Sequence, residues 1–359
     1  LLLLLLLLLL LLLRTKQILA NTTWMLLLAA LCICTSWIAA AAFAPVYGYA
    51  GGASAARAIA RTSISASQGP HKATPAASPK AHVVSGLVCT EVQISLNVKI
   101  DCGPSGLRKR IDVTVIEASS ASQDTLVNSA LALEGDHTPD SIPLASGDPY
   151  GAVLWPAGAA VAEHLFGGQT PLSRNALATQ TLLELGAGTG LLSLAAASAG
   201  FARVIATDYE RLTLDLLAYA AAHLNPDVPA GVVETAVLDL CDAAARLPPA
   251  DVVVVADVLY APATGPPLAR RVIEALEAGS RVIVGDSPDR PGRASFVREL
   301  SALLPEVGVA DQWVAVEARA CAGHRHELIC GKGSKSVSSA QASVTVSILD
   351  LSPSCLRVR

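Results

Sequence analysis

The run Glu184-Leu185-Gly186-Ala187-Gly188-Thr189-Gly190 sets three glycines at alternate positions, after the short apolar stretch Thr181–Leu185 and before a helical one. Glycines so spaced let the backbone turn tightly and let a ligand lie against it with no Cβ in the way. The dinucleotide form of this loop, Gly-x-Gly-x-x-Gly, needs a glycine at 191, where Leu191 stands. With no pyrophosphate to cradle, the loop has only to pass beneath the amino-acid part of adenosylmethionine. The spacing therefore favours that ligand over a nicotinamide or flavin cofactor, or over a purely structural loop. Asp208 ends the next apolar stretch, Arg203–Thr207, where a carboxylate can accept both hydroxyls of a ribose.

A second constellation, Ala256-Asp257-Val258-Leu259-Tyr260, comes after four consecutive valines at 252–255. Ligands of open α/β sheets bind outside the carboxyl ends of the strands, so Asp257 and Tyr260 should face the reacting atoms. Asp257 could hold an ammonium there and Tyr260 offer it a π-face; the plainer reading makes Asp257 a cap for the adjoining loop. Trp155, just ahead of Pro156 at a helix start, is either a core residue or part of the pocket, and its position favours the pocket. His164, His223, His324 and His326 read as surface or satisfied core residues, and no Ser/His/Asp arrangement emerges. Eight cysteines form no Cys-x-x-Cys pair and no zinc spacing, so no metal is expected and reduced thiols are.

These residues need elements to hold them. From Thr181 onward, apolar strands alternate with helical stripes. Thr181–Leu185 and Arg203–Thr207 read as strands around a small helix, Leu191–Ala199. Leu212, Leu216, Ala220 and Leu224 mark a helix that ends before Asn225-Pro226. Val232–Leu240 is a third strand and Asp251–Ala256 a central one buried on both faces. Leu268, Val272 and Leu276 mark a further helix, Arg281–Gly285 a fifth strand, and Phe296–Leu304 a helix. Trp313–Ala318 and His326–Cys330 read as a closing hairpin. The alternation implies an α/β, doubly wound, mostly parallel sheet. Ahead of it, Val92–Leu96 and Ile111–Val115 read as strands of an N-terminal β-arm, joined by turn residues Cys102–Gly106 and succeeded by a polar loop to Asp148.

The block Gly151-Ala152-Val153-Leu154-Trp155-Pro156-Ala157-Gly158, the glycine loop and Asp257-Val258-Leu259-Tyr260 together resemble the seven-β-strand protein methyltransferases of methyltransferase family 16. Arg281–Asp286 with Arg290-Pro291 is similar to the electron-transfer-flavoprotein β-subunit lysine methyltransferases, close to members once labelled nicotinamide N-methyltransferase-like. This chain has one extra residue between Asp286 and Arg290. Over residues 148–330 the resemblance implies a Rossmann-like, seven-stranded class I methyltransferase. Its adenosylmethionine would touch Trp155, the loop residues Glu184, Gly186, Ala187, Gly188 and Gly190, Asp208, and positions near Leu240 and Ala256. Substrate contact falls on Asp257 and Tyr260. Leu240 stands where the group often has Trp. The implied reaction is methyl transfer to an amine, most readily of a protein lysine, with a small heteroaromatic amine or a non-catalytic cofactor-binding scaffold as alternatives.

All 30 acidic residues lie from Glu91 onward, against 20 of the 26 basic ones, so residues 91–359 carry a formal charge of −10. That balance argues against a nucleic-acid substrate. Residues 1–90 divide into a polyleucine run at 1–13, an apolar segment Trp24–Phe43 about long enough to span a bilayer, and an Ala/Ser/Gly/Pro-rich stretch with scattered cations. This is the composition of an organellar transit peptide, and Ala42-Phe43-Ala44-Pro45 resembles the junction of bipartite plastid presequences. A plastid address is expected, with a mitochondrion or retained membrane anchor as alternatives. The expected organisation is a targeting region at 1–90, the β-arm and loop at 91–147, a methyltransferase domain at 148–333 and a disordered tail at 334–359, in a monomer.

Overall fold

The chain divides into two units, residues 1–75 and 76–359. The structure, a computed structural model, describes residues 80–134, 149–287, 289–319 and 343–358, all of the second unit. The polyleucine run, Trp24–Phe43 and the presequence junction lie outside the described residues. Among the described residues no helix is long and apolar enough to cross a membrane.

The arm is longer than its alternation suggested. Strand β1 (Ala81–Val84) pairs antiparallel with β2 (Leu87–Asp101), and β2 with β3 (Leu107–Ala118). A bulge between Asn97 and Ile100 adjusts the register. Leu96, Val98, Ile100, Ile111, Val113 and Val115 point inward and are buried. The arm packs on three helices of the main domain, Pro156–Phe166, Leu191–Ala199 and Arg211–His223. Burial of each such side chain is worth about 1.5–3 kcal/mol, so the arm is part of the core. Asn225, just past the last of these helices, locks it in place: its amide nitrogen donates to the Thr114 carbonyl while its amide oxygen accepts from the Thr114 N–H. The expected polar loop after the arm begins instead as helix α1 (Ser120–Glu134).

Helix α2 (Pro156–Phe166) starts with proline in its first turn and stops at Gly167, the favoured asymmetry of helix ends. A two-residue strand β4 (Leu172–Ser173) pairs parallel with β2, and a short turn α3 (Arg174–Leu177) leads into the main sheet. The main sheet and its helices begin with β5 (Thr181–Leu185), α4 (Leu191–Ala199), β6 (Arg203–Asp208), α5 (Arg211–His223), β7 (Val233–Val237) and β8 (Val252–Ala256). Then come α6 (Gly265–Glu277), β9 (Arg281–Asp286), α7 (Arg293–Leu303), β10 (Val314–Arg319) and β11 (Ser343–Leu351). The seven strands stand in the order β10-β11-β9-β8-β5-β6-β7. Pairing is parallel from β7 to β9, and β11 runs antiparallel to both its neighbours. The order reverses between β5 and β8, the switch point at which a doubly wound sheet opens a crevice. The expected Rossmann-like, seven-stranded sheet is therefore present.

Two apolar cores flank it, one with α2, α4, α5 and the arm, the other with α6 and α7. The tail is a correction. Ser343–Leu351, expected to be poorly ordered, is the strand inserted between β9 and β10, with Val346, Ile348, Leu349 and Leu351 buried. The residues expected to close the hairpin, His326–Cys330, lie outside the described residues.

Candidate active site

The crevice is built from the segments that leave the carboxyl ends of β5, β6, β7, β8 and β9. Leaving β5, the Gly186 and Ala187 N–H groups both donate to the Thr207 carbonyl at 2.8 and 2.9 Å, which folds the loop across the end of β6. Gly186 has φ 74° and Gly190 φ 79°. A Cβ at Gly186 would meet Val258 Cγ1 at 2.5 Å, and one at Gly190 would meet Leu217 Cδ1 at 2.1 Å. Both positions thus require glycine twice over, by conformation and by space. The Gly188 N–H donates to Asp208 Oδ2 at 2.9 Å, and the Glu210 N–H to Asp208 Oδ1 at 3.0 Å. Loop and acid stand 20 residues apart in sequence, and the fold sets them in hydrogen-bond contact. Ala187 is buried beside them.

Glu184 belongs to this group in sequence but looks elsewhere. Its Oε2 accepts from the Ser193 N–H at 3.0 Å and Ser193 Oγ at 2.5 Å, inside the first turn of α4. Burial pushes its carboxyl up to about 8; the Ser193 hydrogen bonds oppose the rise and the Asp208 charge adds to it. Leu240 lies on the segment after β7, whose start is tied to β6 by Leu238 N–H on the Asp208 carbonyl. Buried Arg271 of α6 holds this segment by donating to the carbonyls of Leu240, Asp242 and Ala245. Glu274 pairs with Arg271 and accepts from the Leu247 N–H. Nothing in the sequence singled out Arg271; a cation beside an apolar stripe looks like any solvated helix residue.

At the carboxyl end of β8, Ala256 stands opposite Gly285 of β9. Asp257 comes next, with φ 57°, and is buried. Its carboxylate accepts from four groups: the Ser287 N–H (2.9 Å), Ser287 Oγ (2.8 Å), Arg290 Nε (3.1 Å) and the Ala157 N–H (3.4 Å). The Arg290 guanidinium also stacks on Trp155, its carbon 4.6 Å from the ring centroid. Trp155 Nε1 donates to the Tyr150 carbonyl, which fixes the ring. The structure thus brings Trp155 to Asp257 with a cation between them. Tyr260 is 51% exposed on the loop beyond, and the aromatic face against Arg290 belongs to Trp155. Arg290, which closes the loop carrying the extra residue, has a partner on each side. Among the described residues no group of His, Cys, Asp and Glu could hold a metal.

Chemically, the β5–β6 end offers a bare backbone surface beside a buried carboxylate, with no cation in the loop to meet a pyrophosphate. That donor set suits a nucleoside with a free ribose and an amino-acid tail, and Gly186, Ala187, Gly188 and Asp208 would hold it.

Residues 141–302 match the family described as lysine methyltransferase, Methyltransf_16. A search of curated proteins finds no match. Among solved structures the chain is similar to precorrin 8w decarboxylase from Methanobacterium thermoautotrophicum, at 17% identity over 58% of this chain and 98% of that one, TM-score 0.36. It is similar also to an inferred RNA methyltransferase from Pyrococcus horikoshii, at 16% identity over 63% and 97%, TM-score 0.35. A third, an inferred methyltransferase complexed with S-adenosylhomocysteine, shares 13% identity over 55% and 50%, TM-score 0.36.

Proposed function

We propose that the chain, whose residues 141–302 match the lysine methyltransferase family, is an S-adenosylmethionine-dependent methyltransferase that methylates the side-chain amine of a protein lysine. The observation that carries the reading is the family match across the whole crevice, from ahead of Trp155 to beyond Arg290. The cofactor supplies an electrophilic methyl on a sulfonium. When bound, it would give that methyl to the amine lone pair, an N–C bond replacing the C–S bond, and would leave as a neutral thioether.

Such a transfer asks the protein for in-line placement and an unprotonated amine rather than for acid–base machinery. Asp208 and the glycine loop would fix the nucleoside and the amino-acid tail. Asp257, Arg290 and Trp155 would form the acceptor side, with Tyr260 at its mouth. Incubating the chain with methyl-labelled cofactor and a protein extract, then mapping label by mass spectrometry, tests the proposal. Label on lysine side chains is expected. Label confined to small amines would move the assignment to a small-molecule N-methyltransferase.

The acid-free N-terminal region and the Ala42-Phe43-Ala44-Pro45 junction support import into an organelle, a plastid first. Since β1 begins at Ala81 and pairs with β2, the mature chain should start between Phe43 and Ala81. N-terminal sequencing of the native protein decides this, and a mature start within β2 would sink it.

A further inference from the structure

The acceptor side holds one feature that the methyl-transfer chemistry does not ask for. A carboxylate, an aromatic face and a cation are already assembled there, and the cation belongs to the chain. Asp257 is the deeper partner, its side chain 3% exposed, while that of Arg290 is 18% exposed. Arg290 is therefore the more solvent-accessible partner of the pair. Its position is enforced by its loop: Ser287 ties one end to Asp257, and the Gly292 N–H donates to the Leu259 carbonyl at the other. A Cβ at Gly292 would meet the Ala261 carbonyl oxygen at 2.5 Å, so the two loops are packed backbone to backbone.

The chemistry gives this arrangement a purpose. A lysine amine attacks only as the free base, yet an unneutralised carboxylate within about 4–6 Å raises the pKa of an amine by about 1–3 units. A bare Asp257 would hold the acceptor in its unreactive form. We propose that Arg290 is a positioning residue of the acceptor side, which by pairing with Asp257 and stacking on Trp155 cancels the carboxylate's charge and leaves the entering amine free to lose its proton. The proposal deepens the methyltransferase reading and rests on it. Other charges nearby do not replace this one. Asp286 at the end of β9 is coupled to both Asp257 and Arg290, and its own cation is Arg293 of α7, whose Nε donates to Asp286 Oδ2 at 2.8 Å. Asp289, on the same loop as Arg290, is exposed to solvent.

The test needs no identified substrate. S-adenosylhomocysteine presents a neutral thioether to the acceptor side; sinefungin, the analogue with a primary amine at the methyl position, presents an ammonium. The ratio of their dissociation constants reads the field at that point. It is measured by calorimetry in wild type, Arg290→Gln, Arg290→Lys and the double variant Arg290→Gln with Asp257→Asn. Removing the cation should shift the ratio toward sinefungin by about tenfold or more, the effect of an uncovered carboxylate at this range. Arg290→Lys keeps the charge and should stay near the wild-type ratio, and the double variant should return to it. An unchanged ratio in Arg290→Gln overturns the proposal, as does a double variant that fails to restore it. Should the Gln variant not fold, the Lys variant carries the test, and a departure of about tenfold there assigns Arg290 a geometric role instead. If neither analogue binds the wild-type chain, the methyltransferase reading itself falls, which is a separate and visible failure.

Discussion

Asp208 and Glu184 lie at the same end of the sheet, and their surroundings divide them. Asp208 is bonded through both oxygens to N–H groups at the crevice, from Gly188 and Glu210. Removing it as Asp208→Ala should weaken S-adenosylhomocysteine binding by about 1.5–3 kcal/mol, the range for hydrogen bonds to a charged acceptor. Calorimetry showing wild-type affinity would remove it from the ribose site. Glu184 faces the α4 turn, with its carboxyl pushed from 4.5 to about 8 by burial. The folded chain therefore keeps a proton that the unfolded chain releases. Its contribution is fully present below about pH 4.5, declines as pH rises, and is lost once pH passes about 8. Glu184→Gln retains the shape and the acceptor for Ser193 without titrating. Between about pH 5 and 9 the wild type should lose stability relative to the variant, on the order of a few kcal/mol. Parallel urea-unfolding midpoints across that range would contradict a buried, protonated Glu184.

At the scale of elements, the strands around the switch point were readable because each is a short apolar run bounded by glycine or a polar turn. Four valines at 252–255 suit a strand buried on both faces. The glycine loop was legible for the same reason: Gly186 and Gly190 are demanded by local backbone and by one neighbouring side chain each. What escaped was decided by distant parts of the chain. The Ser343–Leu351 segment has period-2 alternation, but its serines resemble a solvated tail until β9 and β10 stand on either side of it. Arg271 and Arg290 act through carbonyls and rings that no spacing rule joins to them. Strand β11 is also pinned by charge. Arg281 of β9 reaches Asp350 through two nitrogens, at 2.9 and 2.6 Å, and His164 of α2 reaches it at 2.8 Å. Burial alone would raise the Asp350 carboxyl; these partners outweigh it and hold it well below the ordinary range. A chain ended after Gly333 loses this strand and bares the β9 edge, an invitation to aggregate. It should fail to give a cooperative thermal transition, and a melt within a few degrees of the full chain would return the segment to the status of a tail.

For the whole molecule, charge is the property that the fold leaves unspent. Residues 91–359 carry −10, while several surface cations are already matched, Arg108 to Asp227, Arg203 to Glu234, Arg211 to Asp215 and Arg270 to Glu299. Exposed pairs of this kind add little to stability, but by neutralising the cations they leave the excess of acids to set the long-range field. A field of that sign attracts a basic, lysine-bearing protein surface and repels phosphate backbones. Attraction at a distance acts on encounter rather than on the bound complex, and it fades once the Debye length shrinks, to about 8 Å at physiological salt. The two steady-state constants should therefore part company. Raising salt from about 20 to 300 mM should lower kcat/KM for the identified protein substrate several-fold and leave kcat nearly unchanged. Cofactor affinity should move little over the same range, since its contacts are local and partly buried. Added tRNA or duplex DNA should compete for neither site. A kcat/KM indifferent to salt, or inhibition by nucleic acid at matched ionic strength, would show that recognition rests on something other than the acidic surface, and would take away the electrostatic argument for a basic protein as the substrate.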